Sequence, residues 1–305
     1  MGGDWRRRVL TGSGDAIAAC GVLVLIVCTG AETIGAQQAG PRAGHESAAE
    51  RARAPGPEVA RRRPAVPADN WTYRPTVLVR RGTSQGSGTI IASVEGETLV
   101  LTAAHVVRDR GPVVVELHRY NLGMERVAAA RGPWPRAISA TLLASDTASD
   151  LAILRIAKMR ALPYVARLAR DNADPPADSI VNSIGIDLGT NLTGWSTRLV
   201  ETLTFELNNH RDPRPFLITE KIPEHGRSGG GLYLANGELA GVCVGHAELI
   251  KGREMGVFAS RESIRLLLAD HKLTAAIVRS ETRRARLRGR SPQANVAARA
   301  PLPKG

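Results

Sequence analysis

Three short segments of the sequence carry the side-chain types of nucleophilic catalysis. Ser228 lies among glycines in the segment HGRSGGG (225–231). Upstream, His105 ends the segment TAAH, and Asp150 stands directly before the apolar run LAIL. A serine hydroxyl, an imidazole that takes its proton and a carboxylate that orients the imidazole together form an acyl-transfer site. The order of these residues along the chain, His then Asp then Ser, predicts that chemistry here.

The glycines around Ser228 predict the second component of such a site. They permit a tight turn in which the backbone amides of Gly226 and Ser228 converge on one point. Two converging amides form an oxyanion hole, which stabilises the negative charge on a carbonyl oxygen under attack. Asp146 is a second candidate for the orienting carboxylate, although its position also suits a turn.

Short β-type runs adjoin His105 and Asp150 and predict that both lie at strand ends. Runs of this kind recur along the chain, separated by turn residues, with few helical patterns between them, which predicts an all-β barrel or sandwich. After the last run, Ser260 can cap a helix with an apolar stripe at Ile264 and Leu267. The runs are 77–79, 89–91, 99–101, 113–115, 138–143, 151–154, 180–181, 216–218, 232–234, 239–244 and 256–258.

The segments around His105, Asp150 and Ser228 resemble the three signature blocks of trypsin-like serine proteases, especially the bacterial HtrA-type branch. The similarity extends to GSGTII (86–91) before the histidine block and to NGELAGV (236–242) and GVFAS after the serine. The resemblance covers roughly residues 71–272. It implies a double six-stranded antiparallel β-barrel with a short C-terminal helix, and peptide-bond hydrolysis.

The resemblance also implies a role for each matching residue. Ser228 would be the nucleophile, His105 the general base and then acid, and Asp150 the orienting carboxylate, with the amides of Gly226 and Ser228 as the oxyanion hole. One strand would pair with the substrate backbone and form a wall of the primary specificity pocket. That strand contains Val242, Cys243, Val244 and Gly245. The implied chemistry requires no cofactor and no metal ion.

Two positions depart from the pattern of that family. Arg227 stands where Asn or Asp usually precedes the serine, and Gly231 stands where Pro or Ala usually follows the second glycine. We expect the Arg227 side chain to point to solvent, although a cation there would also suit acidic substrates. The sequence shows neither a PDZ domain nor an Ile-Val-Gly-Gly segment after a basic residue, so activation by a freed N-terminus is not expected.

Two other functions fit parts of the pattern. The departures at Arg227 and Gly231 suit a catalytically inactive, protease-like domain that binds peptides, but such a domain has no chemical reason to keep all three groups. The segment GRSGG also satisfies the nucleophile elbow of α/β-hydrolase esterases. That fold requires alternating strands and helices and a later acid and histidine, and only the consecutive Asp270 and His271 offer them.

Composition divides the chain into a domain with flanking segments. Residues 1–36 contain three arginines and then an apolar run, the pattern of a signal peptide or signal anchor. Residues 37–69 are rich in Ala, Pro, Arg and Glu and predict a disordered linker. Residues 70–272 hold the protease-like domain, and residues 273–305 predict a basic disordered tail. We expect an extracytoplasmic protein that is periplasmic, secreted or tethered to a membrane through its N-terminal segment.

Charge and cysteine content limit the partners and the chemistry. The formal net charge is +12, but most of it lies outside residues 70–272, so a protein or peptide substrate is favoured over nucleic acid. Cys20 and Cys28 belong to the N-terminal segment, which leaves Cys243 without a partner for an internal disulfide. Its apolar neighbours predict a buried, inert thiol.

Overall fold

The computed structural model describes residues 72–124, 134–170, 174–207, 210–250 and 252–289. The predicted signal segment (1–36) and linker (37–69) lie outside these residues. Within the described part of the chain, no helix is both long and apolar enough to cross a bilayer.

The first half of the described chain forms a closed, six-stranded antiparallel barrel in the order β1-β2-β3-β6-β5-β4. Valine, leucine and isoleucine side chains fill its interior, and β4 shows the alternation of buried and half-buried residues that a barrel wall requires. The strands are β1 (Thr76–Arg81), β2 (Ser84–Val94), β3 (Glu97–Ala103), β4 (Val113–Leu117), β5 (Arg136–Asp146) and β6 (Leu151–Ala157).

The second half forms a seven-stranded sheet in the order β11-β8-β9-β10-β13-β12-β7. Because β11 also pairs with β12, six of these strands are joined in a ring, and β7 adds to β12 in parallel. The strands are β7 (Arg167–Leu168), β8 (Ile180–Asp187), β9 (Asn191–Phe205), β10 (Arg214–Thr219), β11 (Gly231–Tyr233), β12 (Glu238–Ile250) and β13 (Arg253–Ser260). The predicted double-barrel class is confirmed, and the predominance of antiparallel strands excludes the α/β-hydrolase alternative.

One apolar cluster joins the two barrels. It includes Leu99 and Leu151 from the first barrel and Phe216 and Val242 from the second, all fully buried. Burial of apolar side chains contributes about 25 cal/mol per Å² of area removed from water. This shared core therefore fixes the junction at which the predicted active-site residues lie.

Two helices follow the second barrel. Helix α1 (Arg261–Asp270) begins as predicted at Ser260, whose side chain accepts a hydrogen bond from the Ser263 amide at 3.4 Å. Its predicted stripe is buried, with Ile264 and Leu267 at most 3% exposed. Helix α2 (Thr274–Gly289) lies in the region predicted to be a disordered tail, and that prediction is wrong for these residues.

Packing against the first barrel explains why α2 is ordered. Ser280 is 1% exposed, and its hydroxyl accepts a hydrogen bond from the Ser93 amide of β2 at 2.9 Å. Arg279 forms an ion pair with Glu97 of β3 at 2.9 Å. Polar contacts with the barrel supply part of the packing of α2, so the helix contains few apolar side chains. Their spacing is too weak a pattern to predict a helix from the sequence.

His118, which follows β4, makes stability dependent on pH. Burial lowers its pKa below the ordinary 6.5, against a smaller opposite effect of the Glu116 charge. The unfolded chain then binds more protons than the folded chain, so this stabilisation is complete above about pH 6.5 and is lost as the pH falls through 6.5 toward the lower folded value. We expect the free energy of unfolding to fall more steeply below pH 6.5 in the wild type than in His118→Gln, measured by urea denaturation. Equal pH slopes would contradict the prediction.

Candidate active site

The register of two first-barrel strands brings His105 beside Asp150. Strands β3 and β6 pair so that Ala103 lies opposite Leu151, and the two candidate residues lie just beyond this pair. His105 belongs to the 3-10 turn Ala104–Val107, and Asp150 adopts a left-handed conformation with φ of 54°. The backbone amide of Ala104 donates to the Asp150 carbonyl at 2.9 Å, which holds the turn against the start of β6.

Asp150 contacts His105 through both carboxylate oxygens. Its Oδ1 accepts from the His105 backbone amide at 2.9 Å, and its Oδ2 lies 2.6 Å from His105 Nδ1. Asp150 is 2% exposed, so the carboxylate is shielded from water and paired. A hydrogen bond donated by Nδ1 leaves Nε2 with a free lone pair, which is the tautomer that a general base requires.

Asp146, the second candidate, is engaged elsewhere. Its carboxylate accepts from the Ser149 hydroxyl at 2.7 Å and the Ala148 amide at 3.0 Å, and it pairs with Arg214 at 3.4 Å. Burial opposes ionisation, but these hydrogen bonds and the Arg214 charge outweigh it and hold the pKa of Asp146 below its usual value. The geometry therefore supports Asp150 as the orienting carboxylate.

The Ser228 loop (residues 225–231) is hydrogen-bonded to both barrels. The Ser228 carbonyl accepts from the Ser87 amide of β2 at 2.7 Å, while the Gly229 amide donates to the Cys243 carbonyl of β12 at 2.8 Å. Gly229 has φ of 86°, and a Cβ there would come within 2.3 Å of Thr102 Oγ1 and 3.0 Å of the Ala103 amide. The loop thus lies directly against Thr102 and Ala103, in the segment that carries His105.

The Ser228 hydroxyl itself donates to the Val244 carbonyl at 3.3 Å. In the described part of the chain, no hydrogen bond joins Ser228 Oγ to His105 Nε2. Catalytic hydrogen bonds are often long or absent without substrate and tighten in the complex. A proton transfer from Ser228 to His105 would therefore require Ser228 Oγ to leave the Val244 carbonyl.

Hydrogen bonds to two carbonyls fix the direction of the peptide groups on either side of Arg227. The His225 carbonyl accepts from the Leu188 amide at 2.7 Å, and the Arg227 carbonyl accepts from the Gly230 amide at 2.8 Å. In a trans peptide the N–H points opposite to the carbonyl. The amides of Gly226 and Ser228 therefore point away from these contacts, and no acceptor for either lies among the described residues.

Ser87 is a site residue that sequence reasoning missed. Its hydroxyl donates to the Gly226 carbonyl at 2.8 Å and accepts from the Ile186 amide at 2.8 Å. The residue is fully buried, and its backbone amide also holds the Ser228 carbonyl. The signal for this role was the GSG segment at 86–88, which suits close approach of another backbone.

Arg227 does not point to solvent, which corrects the prediction from sequence. Its side chain is fully buried and forms an ion pair with Asp187 at 2.7 Å. It also bonds to the hydroxyls of Ser183 and Thr193, and its guanidinium lies 4.9 Å from the ring centre of Trp195. The cation therefore lies beneath the loop rather than facing a substrate, and it provides no basis for a preference for acidic groups.

Local packing explains why position 231 is a glycine. It begins β11, and a Cβ there would come within 2.5 Å of the Tyr233 ring and 2.8 Å of a Leu239 methyl group. Tyr233 is fully buried, so its ring cannot move aside into water. The small residue at this position is thus matched to its neighbours in the second barrel.

The predicted substrate-binding strand is divided between two tasks. Val242 pairs with β11, and the amide and carbonyl of Cys243 bond to the Ser228 loop, each at 2.8 Å. The backbones of these two residues are thus engaged within the protein, and both residues are fully buried. Pairing of β12 with β11 ends at Val242, so the strand edge on this side is free of strand pairing at Val244, Gly245 and His246. His246 was not among the predicted residues.

Cys243 is free and buried, as predicted. Burial raises the pKa of its thiol to about 12, so the reactive thiolate is scarce at neutral pH. We expect iodoacetamide to leave Cys243 unmodified in the folded protein and to alkylate it in 6 M guanidinium, as followed by peptide mass spectrometry. Rapid alkylation of Cys243 in the native protein would contradict its burial.

Comparisons with known proteins agree with this architecture. The model of the family described as "Trypsin-like peptidase domain" matches residues 86–242. Serine endoprotease DegS of Escherichia coli (strain K12) is 29% identical over 158 residues, which are 52% of this chain and 38% of DegS. The similarity therefore spans well under half the length of that relative.

Two solved structures have a similar fold. An inactive mutant form of Rv3671c from M. tuberculosis H37Rv matches with a TM-score of 0.51 and 23% identity, over 68% of this chain and 91% of that chain. The serine endoprotease from Yersinia pestis matches with a TM-score of 0.50 and 24% identity, over 67% of this chain and 65% of that one. With the family match over half of the sequence, these findings show that the chain belongs to the trypsin-like peptidase family.

Proposed function

We propose that this protein is a serine endopeptidase in which Ser228, His105 and Asp150 form the catalytic triad. The observation that carries the proposal is the 2.6 Å contact between Asp150 Oδ2 and His105 Nδ1. It leaves Nε2 of the imidazole available as a base, and the imidazole lies in the segment against which the Ser228 loop packs.

The mechanism proceeds through an acyl-enzyme. Ser228 Oγ attacks the scissile carbonyl carbon while its proton passes to His105 Nε2. The amides of Gly226 and Ser228 donate to the resulting oxyanion. His105 then gives its proton to the departing amine nitrogen as the C–N bond breaks. Water attacks the acyl group with His105 again as base, and the proton returns to Ser228 Oγ as the ester bond breaks.

Each part of the site contributes to lowering the barrier. Asp150 stabilises the imidazolium that forms during attack, because its buried carboxylate is already aimed at Nδ1. Each oxyanion-hole donor lowers the barrier by roughly 3–4 kcal/mol in enzymes where one has been removed. These donors are oriented by the fold before substrate arrives, so no reorganisation of the backbone is required during the reaction.

The free edge of β12 supports a peptide as the substrate. An extended peptide can add to this edge from Val244 onward through backbone hydrogen bonds. The Val244 carbonyl already receives a proton donor, the Ser228 hydroxyl, which a substrate amide would replace. Such pairing places a bond within an extended segment next to Ser228, which suits an endopeptidase.

A fluorophosphonate probe tests this assignment. It reacts with an activated serine, so we expect labelling of the wild-type protein and none of Ser228→Ala. Ser196→Ala is the matched control, because Ser196 is exposed on β9 and bonds to Asn182. An internally quenched peptide with blocked ends should be cleaved by the wild type and the control only. Equal labelling of the wild type and Ser228→Ala would overturn the proposal.

We also propose that the protein acts outside the cytoplasm. The arginines and apolar run within residues 1–36 support export or tethering to a membrane. We expect the full chain, expressed in a bacterium, to be accessible to an added protease in spheroplasts. Protection equal to that of a cytoplasmic marker would contradict this proposal.

A further inference from the structure

We propose that Arg227 and Asp187 are positioning residues whose buried ion pair holds the oxyanion hole in its competent orientation. This inference rests on the proposed function, because it assigns a cause to the geometry of the same site. The residue before the nucleophile would thus act through the backbone beneath the substrate.

Burial and partners show how closely Arg227 is held. The side chain is fully buried, and its guanidinium bonds to Asp187 at 2.7 Å and to Ser183 at 3.2 Å. Gly185 makes room for it, since a Cβ there would come within 2.9 Å of Arg227 Cγ. The C-terminal end of β8 therefore leaves space for this side chain.

The ion pair completes a closed path of bonds and contacts that includes the peptide group between His225 and Gly226. Asp187 is followed by Leu188, whose amide donates to the His225 carbonyl at 2.7 Å. That carbonyl belongs to the peptide whose N–H, on Gly226, points to the oxyanion position. The chain then returns through Gly226 to Arg227. Fixing Arg227 on Asp187 therefore fixes the direction of the Gly226 amide.

Leu188 shows why an anchor is needed at this point. It has φ of 53°, a left-handed conformation that is unfavourable for a residue with a Cβ. Its side chain is 62% exposed, so packing does not hold it in place. The turn between β8 and β9, closed by a hydrogen bond from the Thr190 amide to the Asp187 carbonyl at 3.1 Å, holds this conformation. The ion pair and the bond from the Leu188 amide attach that turn to the segment before Ser228.

The energetics also favour positioning over stability as the role of the pair. Removing two charges from water largely cancels their attraction, so a buried ion pair adds little to stability compared with apolar residues of similar size. Arg227 Nε and Asp187 Oδ1 are also buried without hydrogen-bond partners. An interaction that stabilises the fold so little is better explained by the orientation it imposes.

The charge that fixes the loop comes from β8, inside the domain. The oxyanion hole can therefore form in the folded chain without a newly freed N-terminal ammonium group. The consequence is a protease whose Gly226 amide is oriented by contacts within the folded domain.

A double variant separates positioning from folding. Arg227→Met alone leaves Asp187 buried without its partner, so it loses stability as well. In Arg227→Met/Asp187→Leu no unpaired charge remains, and we expect the melting temperature to stay close to that of the wild type. We expect kcat for a peptide to fall about 10²-fold, the scale of losing one oxyanion donor, with KM changed less than threefold. Arg279→Met, which removes the Glu97 ion pair on α2, is the matched control and should retain wild-type kcat.

A peptide boronic acid gives a readout that a purely structural role would not move. Ser228 Oγ adds to boron as its proton passes to His105, and one boronate oxygen then occupies the oxyanion hole. We expect the double variant to bind the boronate about 10²-fold more weakly and to bind the uncleaved peptide, measured on a Ser228→Ala background, within threefold of the wild type. Equal weakening of both ligands, or a wild-type kcat, would overturn the inference.

Crystal structures test the inference without any measurement of catalysis. In the Ser228→Ala background, we expect the His225–Gly226 peptide to keep its orientation with the ion pair present and to be inverted or disordered in the double variant. An unchanged peptide would overturn the inference even if the protein cleaves peptides. An inverted peptide in a protein whose wild type neither labels nor hydrolyses would support the inference and reject the proposed function.

Discussion

Asp150→Asn should lower kcat for peptide hydrolysis about 10⁴-fold at neutral pH, the loss seen when the equivalent carboxylate of a serine-protease triad is changed to an amide. An asparagine can present an N–H to His105 Nδ1, which would place the imidazole proton on Nε2 and remove the base. Because Asp150 is 2% exposed and bonds to His105, it is shielded from substrate, and KM should change little. Steady-state kinetics on one peptide substrate measures both quantities.

Asp146→Asn is the matched control for this prediction. It removes a nearby carboxylate charge that bonds to Ser149, Ala148 and Arg214 but not to His105. We expect its kcat to stay within about threefold of the wild type. A loss in Asp146→Asn as large as that in Asp150→Asn would show that the orienting carboxylate has been misassigned.

Gly229→Ala should have the largest effect on stability among single substitutions at the site. A Cβ at Gly229 would come within 2.0 Å of the Ser87 carbonyl and 2.3 Å of Thr102 Oγ1, with φ at 86°. The first of these neighbours is backbone in β2 and cannot rotate away. We expect a loss of more than about 4 kcal/mol, which exceeds the usual range of single mutations and is a large part of the stability of a typical domain. Urea denaturation followed by circular dichroism measures it.

Gly237→Ala separates the steric clash from the cost of a left-handed residue. Gly237 also has positive φ, 77°, but its nearest neighbour would be a Thr72 methyl group at 3.6 Å. We expect it to cost about 1–2 kcal/mol, the strain of a left-handed residue that carries a Cβ. If the two substitutions destabilise the protein equally, the close approach of the Ser228 loop to β2 and β3 is not as described.

The fold class and the catalytic candidates could be predicted because they depend on local patterns. Short β-type runs separated by turn residues predict an all-β barrel or sandwich, and His105 and Asp150 each adjoin such a run. Their pairing follows from the β3–β6 register, which the sequence does not state but which the family resemblance implies. The buried state of Cys243 followed from its apolar neighbours in the same way.

The features that could not be predicted depend on contacts between distant segments. Arg227 was expected in solvent because an arginine beside a serine in a glycine-rich loop has no local reason for burial. Its partner Asp187 is 40 residues away in sequence, and the space it fills depends on the absence of a Cβ at Gly185.

Helix α2 was missed for a related reason. The polar contact between its Ser280 and Ser93 of β2 spans 187 residues. No periodicity within the arginine-rich segment reveals such a contact, because Ser280 has the same appearance in sequence as a solvent-exposed serine.

The two different surroundings of the predicted substrate-binding strand were also not evident from sequence. Val242 and Val244 are both apolar, and alternation places them on the same face of β12. The end of β11 and the return of the Ser228 loop determine that an edge becomes free only from Val244 onward. Substitutions that probe substrate pairing therefore belong at Gly245 and His246 and not at Val242 or Cys243.

Mass spectrometry of the acid-quenched protein during turnover of an activated ester tests the central claim most directly. We expect the acyl group on the peptide containing Ser228 in the wild type and no acyl group on that peptide in His105→Ala quenched at the same time. Acylation at another residue, or equal acylation of Ser228 without His105, would contradict the claim that Ser228 is a nucleophile activated by His105 and Asp150.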